Sequence, residues 1–372
     1  NGSREVSPAN VITSISNGFG AVTGIGYKPL TDNDVYSRMR DSVNANWGNG
    51  SAVYDMIAPV YVVSHVESSA PVYNLPSAKS KVQYHYVGAK LQAGGRGFLG
   101  FGEVISYDPQ SRIRTNSRYR QDFPFIGMLV DTTRVSNASD SRLKPISNTA
   151  SLEPNSWGPV SSSTSFPLQV SGTALSYVLN QWNSKTTTGT SIFPYISDSI
   201  EVRLTLNGRL DRKELITHIY DGFGNAKSRK VSTYNYDGSF FARETTTNTF
   251  ANDVIKWFLG QLQTSSVTFS RADKAPITRE SHFAYDSAIG FLRQEITDPN
   301  SMDSRVTTDY KLDKFGNRWR TIVTGIDMSP RKDEQRFDPL GRYVNEKINA
   351  LSQTTQRITA RGAFGNPLEM EN

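Results

Sequence analysis

The chain has 372 residues, a formal net charge of +6 and no cysteine. The missing cysteine excludes a disulfide framework, thiolate zinc sites, iron–sulfur clusters and cysteine nucleophiles, and no apolar run approaches the ~20 residues of a membrane-spanning helix. The 41 Lys and Arg are dispersed among 35 acids, which describes a mildly basic surface rather than a nucleic-acid stripe.

Charged residues are only 20% of the chain, while Ser, Thr, Val, Tyr and Phe are plentiful. That balance suits pleated, half-buried surfaces and predicts a β-rich protein. The first residues, Asn1 to Glu5, have neither an initiator Met nor a signal pattern and read as the start of a piece of a longer chain.

Residues 1–145 read as strands separated by glycine-rich turns. Val11–Ile15 meets a turn at Asn17-Gly18-Phe19-Gly20, and Ala21–Tyr27 resumes the strand. Pro59–Val66 and Val82–Tyr86 follow. Gly94-Gly95-Arg96-Gly97 then breaks the chain before Phe98–Phe101 and Val104–Tyr107. Asp108-Pro109 turns it, and Ile113–Tyr119 returns. This is the grammar of hairpins.

Residues 146–199 form a connecting segment rich in Ser and Thr, with short strands such as Phe166–Leu179. Its Trp157, Phe166, Leu168, Tyr177, Trp182 and Phe193 argue for packing, since disordered linkers are poor in such residues.

Residues 200–372 carry an internal repeat, an apolar or aromatic residue followed by Asp and then Gly. It occurs at Tyr220-Asp221 with Gly224, and at Tyr285-Asp286 with Gly290. It returns at Tyr310 and Asp313 with Gly316, at Phe337-Asp338 with Gly341, and at Gly365. Two strands and two turns use about 25 residues, so each unit is one hairpin's worth of sheet. The glycine permits a positive φ, the Asp can bond its own backbone in an Asx-turn, and an aromatic from a neighbouring strand can cover the turn. Units this small must stack to bury their faces. Between Gly224 and Gly290, Asn252–Leu262 reads equally as a capped helix or as strand.

No catalytic or metal-binding constellation emerges. His65, His85, His218 and His282 sit in separate strand-like runs without a metal-type partner spacing. Asp298–Asp303 and Thr31–Asp34 do not match a calcium loop, and Gly94–Gly100 lacks the Lys-Ser/Thr of a phosphate loop. We expect no cofactor, no metal and no enzyme. The aromatic content leaves a carbohydrate-binding or surface-adhesion β-protein as the alternative reading.

The Tyr-Asp units resemble Rhs/YD repeats, found in bacterial polymorphic toxins and teneurins. The front half resembles the middle region of the B components of insecticidal toxin complexes and of proteins related to the Salmonella plasmid virulence protein B. The residues that carry this likeness are Tyr84–Lys90, then Gly95, Arg96, Gly97, Phe98, Gly100 and Phe101, then Tyr119–Gly127 with Asp122, Phe123 and Pro124. Asn17–Ala21 resembles the segment that leaves the β-propeller in that family. Trp257–Leu262 resembles its Trp-Leu-Gly-Arg-Leu stretch, with Gln261 in place of the Arg.

The resemblance implies an all-β fold of antiparallel hairpin repeats in a long curved or spiral sheet. It implies a non-enzymatic, secreted or cell-surface bacterial shell segment that encloses a toxin or effector domain. Its partners would be the rest of its own polypeptide, the enclosed domain and a translocation component, with no nucleic acid and no membrane span. That family's downstream cap carries self-cleaving aspartates. Asp338-Pro339-Leu340-Gly341 is superficially similar to them but is flanked as an ordinary repeat.

Overall fold

A computed structural model describes residues 8–39, 52–137, 172–187 and 191–371. These residues form 23 strands and no helix, so no helix among them is long and apolar enough to cross a membrane. The chain divides into two compact units, Asn1–Thr217 with Ser232–Phe241, and His218–Val231 with Ala242–Asn372.

The strands of the first unit are β1 (Ser14–Ser16), β2 (Val22–Pro29), β3 (Tyr36–Ser37), β4 (Val53–Asp55), β5 (Tyr61–Ser69), β6 (Lys79–Gln92), β7 (Gly97–Asp108), β8 (Ile113–Tyr119), β9 (Leu129–Ser136), β10 (Thr173–Thr186), β11 (Ile192–Leu204) and most of β12 (Leu210–Tyr220). Each pairs antiparallel with its neighbour along the series β2, β5, β6, β7, β8, β9, β10, β11, β12. β6 is long enough to serve two neighbours on one side. Its first half pairs with β5, and its second half takes β3 in parallel and β4 antiparallel.

Cross-strand registry places one face of this sheet inside. Leu179 stands opposite Ile200, and Tyr177 opposite Val202. These four are buried together, with Val130, Leu204, Leu210 and Leu215 packed around them. A second cluster joins Leu30, Tyr36 and Ala89 to Met56, Val62, Tyr86 and Phe101. Fully burying an aliphatic side chain contributes ~1.5–3 kcal/mol, so these clusters anchor the unit. Of the apolar and aromatic residues expected to pack in the connecting segment, Trp157, Phe166 and Leu168 lie outside the described residues.

The second unit is built differently. Its strands are β13 (Ala226–Tyr234, in part), β14 (Phe240–Asp253), β15 (Phe258–Arg271), β16 (Lys274–Tyr285), β17 (Leu292–Thr297), β18 (Val306–Leu312), β19 (Arg318–Gly325), β20 (Met328–Phe337), β21 (Val344–Ile348), β22 (Thr354–Arg361) and β23 (Pro367–Glu371). From β14 to β23 each strand pairs antiparallel with the next. Among the described residues no buried hydrophobic residue lies beyond Ile216. The second unit is therefore a sheet one layer thick, held by backbone ladders and cross-strand pairs. Glu346 bridges Arg336 on one side and Arg357 on the other, each at 2.8 Å, so three adjacent strands share one ion row. Hydroxyls pair likewise, Thr249 with Thr264 at 2.6 Å and Thr268 with Thr278 at 2.9 Å.

Asn252–Leu262, which the sequence left open between helix and strand, is the tip of the β14–β15 hairpin. Asp253 Oδ1 accepts the N–H groups of Ile255 and Lys256, and Trp257 takes a φ of +60°.

Candidate functional site

The repeat glycines gather on one rim of the second unit, because every turn from an even-numbered strand to the next odd-numbered one falls on the same side. The turns share one chemistry. Asp313 Oδ1 accepts the N–H groups of Phe315 (2.8 Å) and Asn317 (2.9 Å), while the Gly316 N–H bonds the Asp313 carbonyl at 3.1 Å. Asp221 does the same for Phe223 and Asn225, Asp286 for Ala288 and Ile289, and Asp338 for Arg342 and Tyr343. A short acceptor two to five residues before the N–H groups it must satisfy closes the turn locally.

These bonds set the electrostatics. N–H donation holds the carboxyls of Asp286 and Asp338 below the ordinary range, led by Ala288 in one and Tyr343 in the other. At Asp221 and Asp313 burial alone would raise the pKa. The bonds from Asn225 and Phe223, and from Asn317 and Phe315, outweigh it and both lie low. The carboxylates are therefore spent on their own turns.

Gly224, Gly290, Gly316, Gly341 and Gly365 all have positive φ, between +68° and +87°. Four of them share a second constraint. A Cβ on Gly290 would lie 2.8 Å from Phe258, on Gly316 2.2 Å from Phe291, on Gly341 2.3 Å from Phe315, and on Gly365 2.3 Å from Tyr343. Each ring belongs to the turn before the glycine it covers or, for Phe258, to the first strand residue after that turn. The aromatics that precede the Asp residues do other work. Tyr220 stacks with His218 at 6.1 Å, the Tyr285 hydroxyl bonds the Leu262 backbone, Tyr310 lies under the Arg318 guanidinium at 4.2 Å, and Phe337 faces Val344 across the ladder. One turn of the rim was not read from the repeat. Gly260 (φ +71°) stands between Gly224 and Gly290, against the Asn225 side chain.

A second constellation lies in the first unit, where the front-half residues come together. The Arg96 guanidinium sits 3.9 Å from the centroid of the Phe123 ring, and Arg120 sits 3.8 Å from that of Phe125. Arg120 also pairs with Asp122. Pro124 follows Phe123 through a cis bond. Phe98 meets Phe101 edge-on at 5.5 Å, and Phe101 lies 4.7 Å from Tyr86. Gly95, Gly97 and Gly100 have positive φ. Between the two segments, buried Gln121 donates from Nε2 to the carbonyls of Gly88 and Gly100, each at 2.8 Å. Met39 fills the space beside Gly88 and Gly102, where a Cβ would come within 2.8 Å of it. Sequence reasoning passed over Met39, and it included Gln121 in the Tyr119–Gly127 likeness without giving it a role.

Beside this cluster runs a buried polar row. Glu103, Arg118 and Asp131 stand opposite one another across β7, β8 and β9. Arg118 Nε reaches both Asp131 oxygens, at 3.0 and 2.8 Å, and Asn116 donates to Glu103. Burial raises the pKa of Glu103 and of Asp131 despite these partners.

The histidines stay apart. His85 is buried, donating from Nδ1 to the Asp34 carbonyl (3.0 Å) with Ser37 Oγ at Nε2 (2.8 Å), and burial lowers its pKa. His65 lies 4.0 Å from Glu67, His218 is stacked on Tyr220, and His282 faces Thr264. Among the described residues no three His, Asp or Glu converge as a metal site.

Residues 1–125 match the family model of the insecticide toxin TcdB middle/N-terminal region. The chain resembles the middle region of a Tc toxin B component. Its fold recurs in three crystal structures. TcdB2-TccC3-TEV matches at a TM-score of 0.59 and 10% identity, over 97% of this chain and 23% of that one. TcdB2-TccC3 matches at 0.56 and 8%, over 96% and 24%. TcdB2-TccC3-Cdc42 matches at 0.55 and 8%, over 94% and 24%. The chain thus spans about a quarter of the length of these structures. No curated protein matches the sequence.

Proposed function

We propose that the chain is a wall segment of an Rhs-repeat β-shell that encloses a toxin or effector domain for delivery, without catalysis of its own. The match of residues 1–125 to the TcdB middle/N-terminal region carries this reading. The second unit supports it physically. A sheet whose described residues include no buried hydrophobic side chain beyond Ile216 has two accessible faces and can separate one compartment from another. Its turn aspartates are committed to backbone bonds, which leaves the rim a fastening rather than a reactive centre. The proposed division of labour follows residues 1–145 as the toxin-complex middle region, 146–199 as the connection and 200–372 as the repeat sheet. The partners are the rest of the polypeptide, the enclosed domain and a translocation component, and the setting is secreted or cell-surface.

Limited proteolysis of the complete gene product tests it. A passenger fragment that resists trypsin in the native product, and is cut once Gly316→Val and Gly341→Val open the sheet, is the expected result. Uniform digestion of the native product overturns the reading. So does glycan binding that is lost with Trp257→Ala, since Trp257 is 74% exposed and open to an adhesive role.

A further inference from the structure

β3 is tied to β6 by few bonds. Only Tyr36 and Ser37 pair with it, in parallel with Tyr86 and Val87, and parallel pairing is the less stable kind per residue. The Val35 carbonyl accepts the Tyr86 N–H at 2.7 Å, and the Tyr36 hydroxyl accepts the Ala89 N–H at 3.1 Å. The ends of this segment are held by one side chain. His85 Nδ1 donates to the Asp34 carbonyl at 3.0 Å, and Ser37 Oγ meets Nε2 at 2.8 Å. A carbonyl can only accept, so Nδ1 carries the proton and the neutral ring accepts at Nε2 from the Ser37 hydroxyl.

His85 is 2% exposed. A proton on Nε2 would make it a buried cation. The Ser37 hydroxyl can turn to accept, so both bonds survive, but nothing that faces the ring neutralises it. From the β3 side, Asp34 gives the ring its carbonyl while its carboxylate bonds Lys28 at 2.8 Å, and Arg38 follows as a further cation. On β7, Ile105 stands opposite His85, between Tyr107 and a Glu103 that is bonded by Asn116. β8 brings Asn116 and Arg114, the latter a like charge. β5 brings His65 opposite Gln83, with Glu67 beyond it, and β4 pairs with β6 only at Lys90–Gln92. Among the described residues no carboxylate bonds the ring. A buried charge without a partner is costly, and lifting β3 lets the imidazolium reach water.

We propose that residues 34–37 form an acid-released strap on β6, with His85 as its pin. At neutral pH the uncharged ring holds both ends of the strap. In acid, uptake of one proton favours the lifted form, which bares the Tyr86 and Ala89 N–H groups and frees Tyr36 from its cluster with Leu30 and Ala89. Burial lowers the His85 pKa below its ordinary 6.5, so its contribution to the closed strap is complete above pH 6.5 and is lost as pH falls through the lower folded value. Burial acts on Glu103 and Asp131 in the opposite sense, so acid loosens β3 and spares β7–β9.

Amide exchange of the 372-residue chain at about pH 7.5 and about pH 5, corrected for the intrinsic pH dependence of exchange, tests the strap. The Tyr86 and Ala89 amides report on it. Their protection is expected to fall at least about fivefold in acid, and by no more than about tenfold per pH unit, since one proton is taken up. Amides of β8 and β9 keep theirs. His85→Gln stays neutral and flattens the slope. Ser37→Ala lowers protection at both pH values and leaves the slope, because the ring still titrates. Circular dichroism verifies that the variants fold, and the wild-type slope with Ser37→Ala decides the matter should His85→Gln not fold. Protection at Tyr86 and Ala89 that is indifferent to pH, an acid loss shared by β7–β9, or a slope that survives in folded His85→Gln each overturns the proposal. None of these readouts involves an enclosed domain, so the strap and the shell reading can fail separately.

Discussion

The ring of Phe315 occupies the space that a side chain on Gly341 would need. A Cβ there would lie 2.3 Å from Phe315 Cδ2, and the backbone already stands at a φ of +68°. Gly341→Ala therefore meets two separable costs, about 1–2 kcal/mol for the left-handed conformation and about 1–3 kcal/mol for the displaced ring. Urea unfolding should show a loss of roughly 2–5 kcal/mol, and adding Phe315→Ala should return the second part only. A double variant no better than the sum of the singles would show that the ring and the glycine do not interact.

Gln121 carries two buried carbonyls, those of Gly88 and Gly100. Gln121→Leu keeps the volume and removes both donors. We expect a loss of about 2–6 kcal/mol, because two acceptors are orphaned at ~1–3 kcal/mol each. Gln121→Glu should be no milder, since it offers a second acceptor where a donor is needed. A midpoint shift within error for the Leu variant would mean that water satisfies these carbonyls.

Arg118 neutralises Asp131 inside the sheet. Arg118→Ala leaves a buried carboxylate unpaired and should destabilise by ~3–5 kcal/mol near neutral pH. Arg96→Ala removes a cation from the face of the half-exposed Phe123 and should cost only ~0.5–1 kcal/mol. Thermal melts of the two variants should rank in that order, and the reverse order would contradict the burial argument.

Two groups give opposite pH dependences. Asp338 is held below its ordinary 3.8, first by the Tyr343 N–H, so its contribution is complete above pH 3.8 and is lost as pH falls through the lower folded value. Glu103 is pushed above its ordinary 4.5 by burial, so its contribution is complete below pH 4.5 and is lost as pH rises through the higher folded value. Asp338→Asn keeps the acceptor oxygen and should flatten the acid limb of stability. Glu103→Gln should gain on the wild type as pH rises above 4.5. Parallel stability–pH curves for wild type and both variants would refute the assignment.

The strands were open to reading where side chains alternate between turn residues. Ile113–Tyr119 is a strand with those same bounds, because Asp108-Pro109 precedes it and the cis Phe123-Pro124 loop follows. The glycines were legible for a similar reason, since positive φ selects one residue type. What covers them was not. The rings stand at Phe258, Phe291, Phe315 and Tyr343, two before, one after, one before and two after the glycine of their own turn. With no fixed offset there is no period to find, and the expected cover from a neighbouring strand holds for Phe258 at the start of β15, while Phe291, Phe315 and Tyr343 cover from the preceding turn. Trp257 hid a turn in the same way, holding a φ of +60° that sequence assigns to Gly or Asn. Gln121 stood within the Tyr119–Gly127 likeness, but its task was not legible because it is set by two carbonyls 33 and 21 residues away.

The direction of the rim series bears on how the sheet is made. Every ring lies N-terminal to the glycine it covers, so a hairpin that has just formed already displays the seat for its successor. A chain synthesised from its N-terminus meets each seat before the segment that fills it. Such a seat lets each new turn be checked against a ring already in place, an order that matches synthesis from the N-terminus.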